Sequence, residues 1–386
     1  MPGAAPLRFH IETGLTRHDL GVLWRSVESR AEVTFFLSWD WIGTWLAELD
    51  PLPPILVGEA GGAPVLIGAL VPRRRVEGGL LRVNGLHLHT TGERAKDVIA
   101  IEYNGFVVDR AWAGQAEAAA VAWLLGPGRV GGRRRDELHI VAATTEAEAR
   151  LVPPGMLLQI PARKPSWRVD LASLRAAGRP YLDSLGPGTR QQIRRAMRLY
   201  AKQGPLTAAR AADVPTGLAY LDALAELHQR QWQARGEPGG FAFPFFVRFQ
   251  RRLVETCLPR GTVELLRIAR GDEPIGYLFN LVRDGHVLAF VSGMRFEDDN
   301  RLKPGLVSHA LAIQRHADEG AAVYDFLAGA ARYKASLGTP GPDFVYLLIQ
   351  RPTPMTRAEG CLRRVWTALR RRRGLPSAPA RVPEAP

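Results

Sequence analysis

Residues 262–269, 274–282 and 286–292 are three strand-like runs joined by the short segments RGDEP and RDGH. Connections that tight allow only antiparallel neighbours, so the stretch is a β-meander. The order then changes. Residues 305–319 read as a helix, 322–327 as a buried strand, the segment from Tyr333 onward as a short helix, and 344–350 as a final strand. A meander continued by helix, strand, helix and strand makes an α/β (α+β) fold with mixed twisted sheets flanked by helices.

The first half repeats the alternation. In FFLSWDWIGTWLAEL the residues Phe36, Trp41, Trp45 and Leu49 recur at helical spacing, with Ser38 as the cap. Strand-like runs follow at 54–57, 64–71, 80–88, 105–108 and 137–142, with a helical stretch over 112–125. The reading is one α/β domain over residues 1–165, a second over 166–350, and a basic helix with a Pro/Ala-rich tail over 351–386. In the second domain, SLGPGTRQQIRRAMRLYAKQG carries Ile193, Ala196, Met197 and Tyr200 on one stripe. Arg190, Arg194, Arg198 and Lys202 climb beside it. Such a line of like charge suits an anionic partner or a solvated face. His87 and His89, in LHLHT, are expected on one face of a strand. With no clear third ligand nearby they read as half-buried strand histidines, and no metal site is expected.

Composition narrows the class. The chain has 386 residues, a net charge of +13 and a pI near 10.4. Its only lysines are Lys96, Lys164, Lys202, Lys303 and Lys334, against many arginines, so part of the charge reflects an arginine bias. The longest apolar runs, such as VLIGALV, are too short to span a bilayer. The opening MPGAAPLRFH lacks a secretory pattern, and Cys257 and Cys361 make no disulfide framework, so the expected compartment is the cytoplasm. In CLRRVWTALRRRRG an apolar stripe of Leu362, Val365, Trp366 and Leu369 lies beside dense arginines. That pattern suits either a helix packed on the second domain or peripheral contact with the inner membrane.

From Ser184 to Gly338 the chain resembles the CelD-type GNAT acyltransferases associated with exopolysaccharide and cellulose synthesis. The motifs that carry the resemblance are SLGPGTRQQIRRAMRLY, LHQRQWQARG, PIGYLFNLV, RLKPGLVSHALAI and YDFLAGAARYK. The first half resembles a second, degenerate GNAT domain, and the tandem arrangement is similar to that of the Fem aminoacyltransferases. The resemblance implies an acyl-CoA, acetyl-CoA among the candidates, lying between two splayed strands with its pyrophosphate at the start of the next helix. Backbone N–H groups and the helix dipole favour an anion there. The corresponding residues are Arg301, Lys303, Gly305, Leu306 and Val307. Pro304 and the spacing of Arg301 from the glycine depart from the family pattern.

The resemblance also assigns YDFLAGAARYK. Asp325 would end the buried strand and either hold Lys334 or take a proton from an amine. Tyr333 would protonate the departing thiolate, and Lys334 would steady the oxyanion. Capping of a turn by Asp325 and core packing of Tyr333 are the competing readings. Three functions follow. The first is N-acyl transfer from acyl-CoA to the amine of a small molecule or glycan precursor. The second is a Fem-like reaction using aminoacyl-tRNA, and the third is a non-catalytic role on a polysaccharide synthase.

Overall fold

The computed structural model describes residues 6–77, 81–354 and 356–357. The described residues form two compact units, one running up to residue 163 and taken up again from 343, the other covering residues 164–342.

Unit 1 begins with β1 (Arg8–Glu12), α1 (Arg17–Glu28) and α2 (Trp39–Ala47), followed by β2 (Ile55–Ala60), β3 (Ala63–Glu77) and β4 (Leu81–Leu88). It continues through α3 (Arg94–Asp97), β5 (Val107–Val108), α4 (Gln115–Leu125), β6 (Glu137–Thr144), α5 (Thr145–Leu151) and β7 (Leu157–Lys164). Thr16 caps α1 by accepting the Asp19 N–H. The β2–β3 turn is Gly61–Gly62, φ 59° and 82°, the left-handed pair a two-residue hairpin requires. Strands β1 to β4 are antiparallel neighbours, and β4 then meets β6 in parallel over only Gly85↔Glu137 to His87↔His139. The core packs Leu66, Leu86 and Leu138 of the sheet against Ala120, Val121 and Leu124 of α4.

Unit 2 repeats the plan. It runs β8 (Ser166–Asp170), α6 (Leu171–Ala176), α7 (Tyr181–Ser184), α8 (Pro187–Ala201), β9 (Leu206–Arg210), α9 (Val214–Gln233) and α10 (Pro244–Cys257). Then come β10 (Val263–Arg270), β11 (Glu273–Arg283), β12 (His286–Met294), α11 (Pro304–Asp318), β13 (Val323–Ala328), α12 (Arg332–Leu337) and β14 (Thr339–Pro340). The expected meander is β10–β11–β12. Its second turn is Asp284–Gly285, φ 49° and 76°. Again the one parallel pairing is short, His286↔Val323 to Leu288↔Asp325, after which β12 and β13 part. Leu278, Val287, Tyr324 and Phe326 pack there against Val307 and Ile313 of α11.

The last strand, β15 (Phe344–Gln350), corrects the expected boundary at residue 350. It lies between β6 and β7 in the sheet of unit 1, pairing antiparallel with β6 from Phe344↔Thr144 to Gln350↔Glu137. The matching place in unit 2, between β13 and β14, is held by β8. Each sheet therefore takes its interior strand from the chain segment that follows the other unit's edge strand. An apolar strand such as FVYLLIQ satisfies its ladder equally well in either sheet, so local sequence does not decide the pairing. The basic helix expected beyond residue 357 lies outside the described residues.

Candidate active site

In unit 2 the sheet is open where β12 and β13 diverge beyond Leu288 and Asp325. β12 carries a bulge in this half, because Phe279 and Asn280 of β11 face Val291 and Ala289, leaving Phe290 as the extra residue. Helix α11 follows directly. Its N-cap, Lys303, makes no side-chain capping bond, and its first turn holds no acid. Pro304 is the first helical residue, so the orphan donors are the N–H groups of Gly305 and Leu306. The N–H of Val307 already donates to Lys303 O at 2.9 Å, and its side chain is fully buried in the core. Val307 is thus no anion contact, which corrects that expectation: it is the first residue to close the helical ladder. A Cβ on Gly305 would meet only Met294 Cγ, at 3.9 Å, so one side of this glycine is open. Arg301 is turned to Asp299, with Nη2 to Oδ2 at 2.7 Å.

Tyr333 and Lys334 open α12 on the α11 side of β13. The Tyr333 ring stacks on His309 of α11, centroids 5.6 Å apart, and meets Phe326 edge-on at 6.2 Å. It keeps 38% of its surface exposed, and the packing around the ring raises its phenol above the usual value. His309 is buried, with Nδ1 3.1 Å from Tyr324 Oη. Burial first, then the Lys334 charge, lower it to about 3, so it is neutral. Lys334 Nζ donates to the carbonyls of Phe326 and Ala328, both at 2.6 Å, at the irregular end of β13 where Leu327 has φ 62°. Asp325 is buried and turns its carboxylate elsewhere. Oδ2 lies 3.1 Å from His286 Nε2, and Oδ1 accepts the Leu327 N–H at 2.7 Å. Strand alternation puts Tyr324 and Asp325 on opposite faces. Tyr333 accordingly joins the Tyr324–His309 side, while Asp325 caps the turn.

A separate polar cluster lies at the other end of the strands. Glu264 accepts from Asn280 Nδ2 at 3.0 Å, pairs with Arg210 at 2.5 Å and lies 3.0 Å from His316 Nε2. Against burial, which would raise it, these partners hold its carboxyl down at about 2. Glu264, His316 and Glu319 bring three ligand atoms within 4.8 Å of one another. The Arg210 guanidinium bridges the two carboxylates, 2.7 Å from Glu319, and supplies the cation. A cavity of about 300 Å³ opens here, lined by Arg210, Leu258, Glu264, Gly285 and His316, at the Gly285 turn and not at the splay.

In unit 1 the corresponding gap is closed. Asn104 donates its backbone N–H to Ala142 O of β6 at 3.1 Å and its Nδ2 to Leu88 O of β4 at 3.0 Å, and its Oδ1 lies 3.0 Å from His89 Nδ1. The start of α4 is capped internally, the Glu117 carboxylate accepting the Gly114 N–H. His87 and His89 do not share a strand face. β4 ends at Leu88 and His89 has φ 54°, while His87 stacks on His139 with centroids 4.3 Å apart.

An open gap beside an uncapped helix start is matched by a family likeness in the same unit. Residues 187–335 match the family described as acetyltransferase (GNAT) domain. The second unit carries a GNAT acetyltransferase domain, and the chain is an acyltransferase. The fold extends over both units. The crystal structure of FemX superposes with a TM-score of 0.56 at 12% identity, covering 91% of this chain and 99% of that one. The C-terminal DUF2156 domain of a putative lysylphosphatidylglycerol synthetase from Agrobacterium fabrum gives 0.52 at 11%, covering 90% and 95%. Among curated proteins none matches the sequence. Within the described residues, no helix is long and apolar enough to cross a membrane.

Proposed function

We propose that unit 2 transfers an acyl group from acyl-CoA to an amine, with the pyrophosphate on the Gly305 and Leu306 N–H groups and the thioester in the gap between β12 and β13. The observation that carries this reading is the start of α11, which is uncapped, free of acid and flanked by Lys303. The acceptor nitrogen attacks the thioester carbonyl and gives up a proton to a base, the C–S bond breaks, and the Tyr333 phenol donates its proton to the thiolate and is reprotonated from solvent. Lys334 holds the carbonyls at the end of β13 and brings positive charge beside the gap. Asp325 shapes the turn that carries α12. The CelD-like motifs favour an amine on an exopolysaccharide or envelope-glycan precursor, and a protein acting at the inner membrane face.

The Fem-like reading draws on the shared fold and on α8. Its support is thinner, because Arg190 and Arg194 of the basic stripe both face Asp183, at 3.7 and 2.8 Å. Calorimetric titration with coenzyme A separates the two. Gly305→Val should weaken binding by about 10²-fold with the fold intact, since the added side chain enters space that only Met294 borders. Tyr333→Phe should bind normally and turn over about 10²-fold more slowly. Unchanged affinity in Gly305→Val would remove the anion site from α11.

A further inference from the structure

Helix α9 crosses the sheet of unit 2 strand by strand, packing on β10, β11 and β12. Tyr220 lies against Tyr277 of β11, ring centroids 5.5 Å apart. One turn later Leu224 presses on Gly293 of β12 so closely that a Cβ there would meet Leu224 O at 2.4 Å. Tyr277 and Gly293 are register partners, so one helical turn carries α9 across one strand. The next inward residue, one turn on, is His228. The next strand would be β13, which has been apart from β12 since Leu288. His228 therefore comes down over the gap. It does so on the face opposite α11, because Gly276, the neighbour of Tyr277, points to Ser308 of that helix.

The side chain is 3% exposed, and neither ring nitrogen makes a hydrogen bond of good geometry. The nearest polar group is the neighbouring Gln229 side chain, whose Oε1 is also unpaired and whose proximity favours the charged imidazole. It is framed by Phe241 at 5.2 Å and Trp232 at 5.8 Å, and Phe241 is itself locked edge-on against Phe246 at 5.0 Å. Burial lowers the imidazole to about 4, so it is neutral. Leaving two polar atoms unsatisfied in a core costs stability and calls for a partner. Unit 1 shows the satisfied version of this layout. There the inward ring of the first helix is Trp24, and its indole N–H donates at 3.0 Å to Leu37 of the following 3₁₀ turn.

We propose that His228 is the acceptor-side base of the transfer, a reading that rests on the donor site assigned to α11. The acceptor is a primary amine entering from the α9 face while the thioester reaches the gap from the α11 face. As the C–N bond forms, the amine proton passes to an imidazole nitrogen of His228. As the C–S bond breaks, the thiolate takes the Tyr333 proton, and solvent restores both groups.

The test uses the full chain with its histidine rings labelled with ¹⁵N, observed by long-range correlation with and without saturating acetyl-CoA. The His228 signal is assigned by its loss in His228→Gln. Acetyl-CoA should shift the His228 nitrogens. His228→Gln should bind coenzyme A within about twofold of the parent and release thiol about 10²-fold more slowly in the presence of primary amines such as glucosamine or spermidine. His228→Leu, which removes the unsatisfied atoms, should raise the melting temperature by about 2 °C or more. Bound acetyl-CoA with unmoved His228 signals would overturn the proposal alone. Absence of any coenzyme A binding would overturn the donor site and this proposal with it.

Discussion

Unit 1 and unit 2 are built on one plan and differ where chemistry would happen. Both pair their two parallel strands over three residues and then let them part. In unit 1 Asn104 stitches the strands together and Glu117 neutralises the helix start. In unit 2 the gap has a helix start with no cap and no acid. One residue pattern closes the gap and the other leaves it open, on the same scaffold. The difference teaches that the splay is a property of the fold, whereas ligand access is a property of a few side chains.

The comparison can be broken most severely at the exchanged strands. A chain ending at Pro342 lacks β15, the strand between β6 and β7, so unit 1 loses the interior of its sheet. Hydrogen exchange should show protection lost across β6 and β7 and largely kept in β10 to β12. Unravelling confined to unit 2 would contradict the exchange.

A smaller effect, shared by both units, comes from acid. His87 and His309 are lowered to about 3, and His89 and His228 to about 4, each mainly by burial. Their folded pKa values lie below the unfolded one, so the unfolded chain binds more protons. The stability from their neutral forms is complete above about pH 6.5 and is lost progressively as pH falls from that value toward about 4 for His89 and His228 and about 3 for His87 and His309. Melting scans between pH 7.5 and 5 should show a loss of a few kcal/mol in each unit. A unit indifferent to this range would show that its histidines are not held neutral.

The smallest effect sharpens the sealed side. Asn104→Ala removes the side-chain bonds to Leu88 O and His89 and should cost unit 1 about 2 kcal/mol, leaving coenzyme A affinity unchanged. A gain of donor binding at unit 1 would mean that the stitch alone distinguishes the two units.

Much of the scaffold was legible because it is local. Tight turns such as Asp284–Gly285 announce the meander, and the helical stripe of Trp41 and Trp45 announces α2. The place of β15 was not legible, since partner choice in a sheet is made by residues far away in sequence. At the helix start, counting from Pro304 as the first helical residue already excludes Val307 as a free donor. The pair Tyr333 and Lys334 stands out in the sequence only through the resemblance, whereas no motif within LHQRQWQ marks His228 as more than a helix residue. Its place in the helix is the one signal: it continues the inward row Gly217, Leu221, Leu224 at spacings of three and four, a row otherwise made of apolar residues and glycine.

The central claim is that the donor binds unit 2 and not unit 1. Hydrogen exchange on the full chain with and without coenzyme A tests it directly, comparing the amides that open α11 with those that open α4. The account predicts slowed exchange at Gly305 and Leu306 and no change at Ala116 and Glu117. Protection at the start of α4, or at neither helix, would contradict it.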